Sequence, residues 1–199
     1  MLAVNEIFDS IQGEGSWIGT PCTFIRLQGC NLRCDFCDSK NTWSEATKPL
    51  MSIEEVLSHV RKVRVVITGG EPTVQWEELK LLIKLLHDRA HLVAIESNGT
   101  YEFYKDLNAD WVVCSPKSAA LYGIYPEGVD ELKYVVTRDF NANVAITPKL
   151  REMFPGRIWL QPCDYGDNGR EMMQKVMDIV ATDERLRAGI QLHKIYDVR

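Results

Sequence analysis

Runs of apolar and β-branched residues alternate with helix-patterned stretches along most of this chain, and most of the runs end in a polar cluster. Residues 22–29 (CTFIRLQG) alternate apolar with polar and read as a strand. Residues 52–62 open on Ser52 with Glu55 three positions on, the capping-box signature of a helix start. Residues 63–72 read as a buried strand ending in Gly69-Gly70-Glu71-Pro72. The strongest helix pattern is 73–90, with Trp76, Leu79, Leu82, Ile83 and Leu86 on one face. Further strands are expected at 91–100, 109–117, 131–137, 157–162 and 189–194. Helices are expected at 101–107 and 168–186, with a broken helical region at 141–154 and the longest loop at 117–130. Such alternation specifies a parallel sheet with crossover helices. A closed eight-fold barrel needs roughly 250 residues, and this chain has 199. The expectation is therefore one α/β domain over 1–199: a partial, open TIM-like barrel of about six βα units. A small N-terminal extension (1–20) would fold over its mouth. The polar clusters fall at the C-terminal strand ends, where α/β folds of this kind place their chemistry.

Six cysteines occur, and three of them crowd into one polar loop as Cys30-x3-Cys34-x2-Cys37. Thiolates this close repel one another unless a positive centre holds them. A structural zinc site takes four protein ligands, and an iron–sulfur cube takes four as well. No fourth Cys or His stands nearby, so a cube bound here would keep one iron open, a position at which an enzyme binds something. The loop also carries Asn31, Arg33, Asp35 and Asp38, which is too polar for an accidental cluster of core cysteines. Cys22 and Cys114 sit in apolar stretches and read as small buried hydrophobes. The net charge of −5 argues against general binding to nucleic acid or anionic membrane. No apolar run approaches the roughly 20 residues of a membrane helix. The first residues carry Glu6 and Asp9 without a basic region, so no signal peptide is expected and the expected location is cytoplasmic.

Cys30, Cys34 and Cys37, with Phe36 before the last of them, resemble the signature of radical S-adenosylmethionine enzymes. Gly69 to Pro72 resemble that superfamily's GGEP motif. SIQGEG (10–15), FIRLQGCNLRCDFCD (24–38), VVITGGEP (65–72), ESNGT (96–100), SPK (115–117), LQP (160–162) and QLHK (191–194) narrow the resemblance to the 7-carboxy-7-deazaguanine synthase family. This resemblance runs over nearly the whole chain and implies a single radical S-adenosylmethionine core. It implies a lyase that converts 6-carboxy-5,6,7,8-tetrahydropterin to 7-carboxy-7-deazaguanine with loss of ammonia, on the route to queuosine and related 7-deazapurines. The implied cofactors are a 4Fe-4S cluster on Cys30, Cys34 and Cys37, S-adenosylmethionine on the open iron, and Mg2+ at the hydroxyl of Ser39, where many relatives carry Thr.

Residue by residue, the resemblance places Phe36, Cys37 and Asp38 against S-adenosylmethionine. It adds Gly70, where a backbone must come close, and Glu71, which orients that turn or accepts from the ammonium. Glu96 and Asn98 are placed at the ribose, although an Asx turn around Asn98-Gly99 is nearly as good a reading. Ser115, Pro116 and Lys117, and then Gln161, Pro162, Cys163 and Asp164, complete the cofactor set. For substrate the resemblance implies Ile11, Gln12, Gly13 and Glu14 at the pterin edge, Thr68 beside Gly69, and Arg26 at the carboxylate, whose two oxygens suit a planar fork. No protein side chain is implied as catalytic, because the cofactor carries the radical. A flavodoxin- or ferredoxin-type electron donor and a homodimer are also implied. His193 and Lys194 are candidates for a role that relatives give to their C-terminus. The competing readings are an activase that installs a glycyl radical on a partner protein, and a non-catalytic iron–sulfur or zinc module; the QGEG segment, Arg26 and the missing fourth ligand count against them.

Overall fold

The computed structural model describes residues 1–44, 50–101, 104–117, 127–163 and 169–198. Its centre is one nine-stranded sheet in the order β3-β1-β2-β4-β5-β6-β7-β8-β9. The parallel part runs through β2 (Pro21–Leu27), β4 (Arg64–Gly69), β5 (Leu92–Ser97), β6 (Trp111–Cys114), β7 (Glu131–Val136), β8 (Ile158–Pro162) and β9 (Leu186–Ala188). Antiparallel β1 (Leu2–Ile11) and the short β3 (Leu50–Met51) extend one edge. The sheet ends at β3 and β9 and does not close, as expected for an open barrel.

The helices cover the outer face. α1 (Ile53–Ser58) starts as its capping box requires, with Ser52 Oγ accepting from Glu55 N at 3.1 Å. α2 (Trp76–His87) buries Leu79, Leu82, Ile83 and Leu86, one stripe at helical spacing. That stripe packs with Ile25, Leu27, Val65, Ile67, Val93 and Ile95, every second residue of β2, β4 and β5. Burying each such side chain contributes roughly 1.5–3 kcal/mol. A second core lies under α3 (Ala142–Ala145), α4 (Pro148–Met153) and α5 (Gly169–Val180), against Leu132, Tyr134, Ile158 and Leu160. The alternate residues face inward. Low in the barrel Cys22, Phe24, Val66 and Ala94 pack with Phe8, Trp17 and Trp111; higher up the inner positions turn polar.

Three sequence expectations change. The segment 189–194 is not the last strand: β9 is Leu186–Ala188, and residues 192–195 form the short α6 (Leu192–Ile195). The two-residue alternation in GIQLHK misleads because sheet pairing stops at Gly189, whose N–H donates to Leu160 O; Leu192 N turns instead to Gly13 O. Residues 2–11 of the expected extension are strand β1, which pairs with β2 from Val4 to Ile11, with a register shift between Val4 and Glu6, and with β3 at Leu2 and Ala3. Among the described residues of 101–107, those from Tyr104 to Leu107 form a 3-10 turn and not an α-helix. Most of the expected loop 117–130 lies outside the described residues.

Candidate active site

A cavity of about 490 Å3 opens at the C-terminal ends of the strands. Cys30, Cys34 and Cys37 line it, on the loop that leaves β2. Burial pushes the Cys30 and Cys34 thiols up; Cys37 raises both further, and Cys30 also raises Cys34. The three thiols are thus within electrostatic reach of one another. Yet among the described residues no three His, Cys, Asp or Glu side chains converge as ligands of a single metal ion. A cube would bond each thiolate to a separate iron and supply the positive centre that relieves their repulsion. The residues present fit a 4Fe-4S cluster.

The loop is held by short-range polar clips. Gly29 N donates to Thr42 O at 2.7 Å, and Leu32 N donates to Cys30 Sγ at 3.4 Å. Asn98 Nδ2 donates to Asn31 Oδ1 at 2.9 Å, and Asn31 Nδ2 to Thr100 Oγ1 at 2.8 Å. The GGEP turn packs directly against it. Gly69 has φ +143°, and a Cβ there would stand 2.2 Å from Leu27 O. A Cβ on Gly70 would stand 2.1 Å from Gly29 O, so this contact excludes any side chain.

Glu71 organises the turn. It is fully buried, and its two oxygens accept from Thr73 N, Thr73 Oγ1, Ser97 Oγ and Asn98 N at 3.0, 2.7, 2.8 and 2.6 Å. Burial still pushes its carboxyl above the usual range. Glu71 does not line the cavity. Of the two roles the sequence offered, its contacts in this structure are those of an orienting group. Asn98 lines the cavity, but its Oδ1 accepts from Thr100 N and Oγ1, the Asx turn that competed with a cofactor role.

The opposite wall is charged. The chain after β1 crosses the barrel and brings Gln12, Gly13 and Glu14 to the strands, with Ser16 N donating to Glu131 Oε2 at 2.9 Å. Lys133, on the inner face of β7, pairs with Glu14 and lies 3.8 Å from Glu96 on β5. Gln191 donates to Glu14 at 2.8 Å; Gln12 and Thr68 donate to Glu96 at 3.0 and 3.2 Å. Burial alone would raise the Glu14 carboxyl, but Lys133 beside it holds it down at about 2. Burial opposes the charge on Lys133, and Glu14 and Glu96 more than compensate, raising it above the usual lysine value. Burial and then Lys133 depress Lys117, whose Nζ donates to Ser115 Oγ at 2.8 Å.

Arg26 projects from β2 into the same cavity. Its Nε donates to Glu6 Oε1 at 2.9 Å, and its guanidinium lies 5.8 Å from the Phe8 ring centroid, which fixes the plane of the fork. Ser39 Oγ donates to Asp38 Oδ1 at 3.1 Å. The cavity also gathers Ile11, Phe36, Gln161, Pro162 and Cys163 from the anticipated set. Pro116 is not among the lining residues, and Asp164 lies outside the described residues. Sequence reasoning missed Lys133, Gln191, Phe8, Phe24, Leu32, Asp35, Trp43 and Val135, all of which line the cavity. Lys133 had a signal: a lysine inside the apolar strand ELKYVV, two residues from Glu131 and so on the same face. His193 and Lys194 also line the cavity, carried there by α6.

Residues 24–159 match the Radical SAM superfamily. The chain is 35 % identical to 7-carboxy-7-deazaguanine synthase of Aquifex aeolicus (strain VF5), over 100 % of this chain and 95 % of that protein. It is 36 % identical to 7-carboxy-7-deazaguanine synthase of Bacteroides thetaiotaomicron, over the full length of both. The crystal structure of QueE from Escherichia coli superposes with a TM-score of 0.69 at 28 % identity, covering 96 % of this chain and 94 % of that one.

Proposed function

This chain belongs to the 7-carboxy-7-deazaguanine synthases of the Radical SAM superfamily, and from that premise we propose a division of labour among its cavity residues. It is an enzyme of 7-deazapurine biosynthesis that works with a 4Fe-4S cluster and S-adenosylmethionine. Its reaction takes 6-carboxy-5,6,7,8-tetrahydropterin to 7-carboxy-7-deazaguanine and one ammonia, a balanced ring contraction. When bound, the cluster and S-adenosylmethionine would supply the radical chemistry of this ring contraction.

The residues of the chain bind and orient. Cys30, Cys34 and Cys37 hold the cluster. Gly70 lets the backbone approach the cofactor, and Glu71 holds the Gly70 turn and the β5 end at one distance. Phe36, Asp38, Ser115 and Lys117 shape the cofactor wall, and Gln161, Pro162 and Cys163 its far side. Arg26 receives the substrate carboxylate with its fork, already aligned by Glu6. Gln12, Glu14 and Thr68 meet the polar edge of the ring. Ser39 is the protein oxygen for Mg2+; one hydroxyl is a thin site, so substrate oxygens and waters would complete the octahedron. Among the described residues no helix is long and apolar enough to cross a membrane. A cytoplasmic homodimer served by a small electron-transfer protein is the setting the family resemblance supports.

One observation carries this reading: the three cysteines, the GGEP turn, the QGEG segment and Arg26 all meet at one cavity. The test is anaerobic reconstitution with iron and sulfide, followed by chromatographic detection of 7-carboxy-7-deazaguanine from the carboxytetrahydropterin. Production without a partner protein is expected. Consumption of S-adenosylmethionine without that product would contradict the assignment.

A further inference from the structure

Lys133 has no part in the roles assigned so far, yet it occupies the middle of the substrate wall. Its side chain is 10 % exposed. Its ammonium spans two carboxylates from different segments of that wall, Glu14 from the chain after β1 and Glu96 from β5. The other acceptor positions of the pair are fixed by Gln191, Gln12 and Thr68. Two half-buried carboxylates facing one cavity repel, and without a cation one of them takes a proton. We propose that Lys133 is a positioning residue that keeps Glu14 and Glu96 together as an ionised acceptor pair, and so selects a ring edge rich in N–H donors, such as a 2-aminopyrimidinone. The inference rests on the substrate class proposed above and deepens it. It gives the lysine in β7 a specificity role through Glu14, which meets the ring, and through Glu96, which was expected at the ribose but accepts from the ring-edge residues Gln12 and Thr68.

Among the described residues the other titratable groups facing this pair are Glu131 on the same strand, Cys22 on β2, Lys117 beyond β6 and His193 on α6. None replaces Lys133. Glu131 adds negative charge. The ammonium of Lys117 is held by Ser115, and His193 acts on Glu14 more weakly than Lys133 does.

The test compares reconstituted wild type, Lys133→Met and Lys133→Arg, measuring steady-state kinetics and calorimetric substrate affinity across neutral and mildly alkaline pH. In Lys133→Met, KM should rise on the order of tenfold to a hundredfold, with kcat changed less. The lost affinity should return as pH rises, because the vacated pair ionises again; wild-type affinity should stay flat. Lys133→Arg should keep most of the binding, and substrate-free cleavage of S-adenosylmethionine should match wild type in both variants. An unchanged KM, or a pH-independent loss shared equally with cofactor cleavage, would overturn the proposal. If Lys133→Met does not fold, the double variant Lys133→Met/Glu14→Gln removes the charge imbalance. It should fold and bind weakly with no pH dependence, and wild-type affinity in it would overturn the proposal. Wild type that makes no product would overturn the function itself; product from wild type alongside an unaffected Lys133→Met would overturn only the role of Lys133.

Discussion

Glu71, buried behind the cavity wall, and Glu14, half-buried on it, are carboxylates whose surroundings push them in opposite directions. On the cofactor wall, at the ends of β4 and β5, Glu71 meets only neutral donors, and burial raises it. On the facing wall Glu14 meets an ammonium, and Lys133 holds it low despite burial. The walls also differ in reach. The Glu71 hydrogen bonds join residues 2, 26 and 27 positions apart, whereas Glu14 pairs with residues 119 and 177 positions away. Neutral bonds within one turn and to the adjacent strand make a seat that needs only the β4–β5 pairing. Ion pairs between distant segments make a seat that exists only once the barrel has formed.

The most severe way to break the cofactor wall is at its thiolates. Replacing any one of Cys30, Cys34 or Cys37 by Ala should abolish the cluster absorbance and all turnover while leaving circular dichroism unchanged. Retention of a full cluster in any of the three would contradict the ligand set.

Next in size is Glu71→Ala. It strands four donors in a buried site, at a cost of about 1–3 kcal/mol for each group left unsatisfied. A large loss in chemical-denaturation stability is expected, together with weakened cluster retention. Glu71→Gln keeps two polar atoms in the same shape and should recover much of the stability. Equal stability of Glu71→Ala and wild type would remove the orienting role.

The acid limb of stability sharpens the contrast. Glu14 has its folded pKa held at about 2, below the ordinary value of 4.5. Its contribution is therefore fully present above about pH 4.5 and fades as pH falls toward 2. Glu14→Gln should flatten part of the melting-temperature decline in that window. An identical acid limb in wild type and variant would mean that the Lys133 pair adds nothing to folding.

The smallest effect is expected at Cys114, fully buried, with its thiol pushed up to about 12. Cys114→Ala should cost on the order of 1 kcal/mol and leave the cluster intact, since this thiol packs beneath Gly99 and is no ligand.

The same contrast explains what was legible in the sequence. The cofactor wall could be read because its parts are contiguous: three cysteines in one loop, and a glycine turn whose closeness to Gly29 excludes side chains. The β2, β4 and β5 strands and the Ser52 cap were legible for the same local reason. The substrate wall was half legible. Arg26 and Glu14 stood in recognisable segments, but nothing local to ELKYVV says that its lysine faces Glu14 across the barrel. Residues 189–194 misled because a two-residue alternation is shared by strands and by short turns that happen to place apolar residues two apart. Glu71 was placed among cofactor contacts because the motif marks its importance, while only the folded chain shows four donors already occupying its oxygens.

The separateness of the two walls is tested most directly at Arg26. Arg26→Lys keeps the charge and loses the fork that meets a carboxylate with two bonds. Substrate turnover and substrate-free cleavage of S-adenosylmethionine should be measured in the same reconstituted preparation. The expected result is a loss of about 1.5–3 kcal/mol in substrate efficiency, roughly tenfold to a hundredfold, with cofactor cleavage at the wild-type rate. Equal loss of both activities would show that Arg26 supports the cluster loop and that the two walls do not act separately.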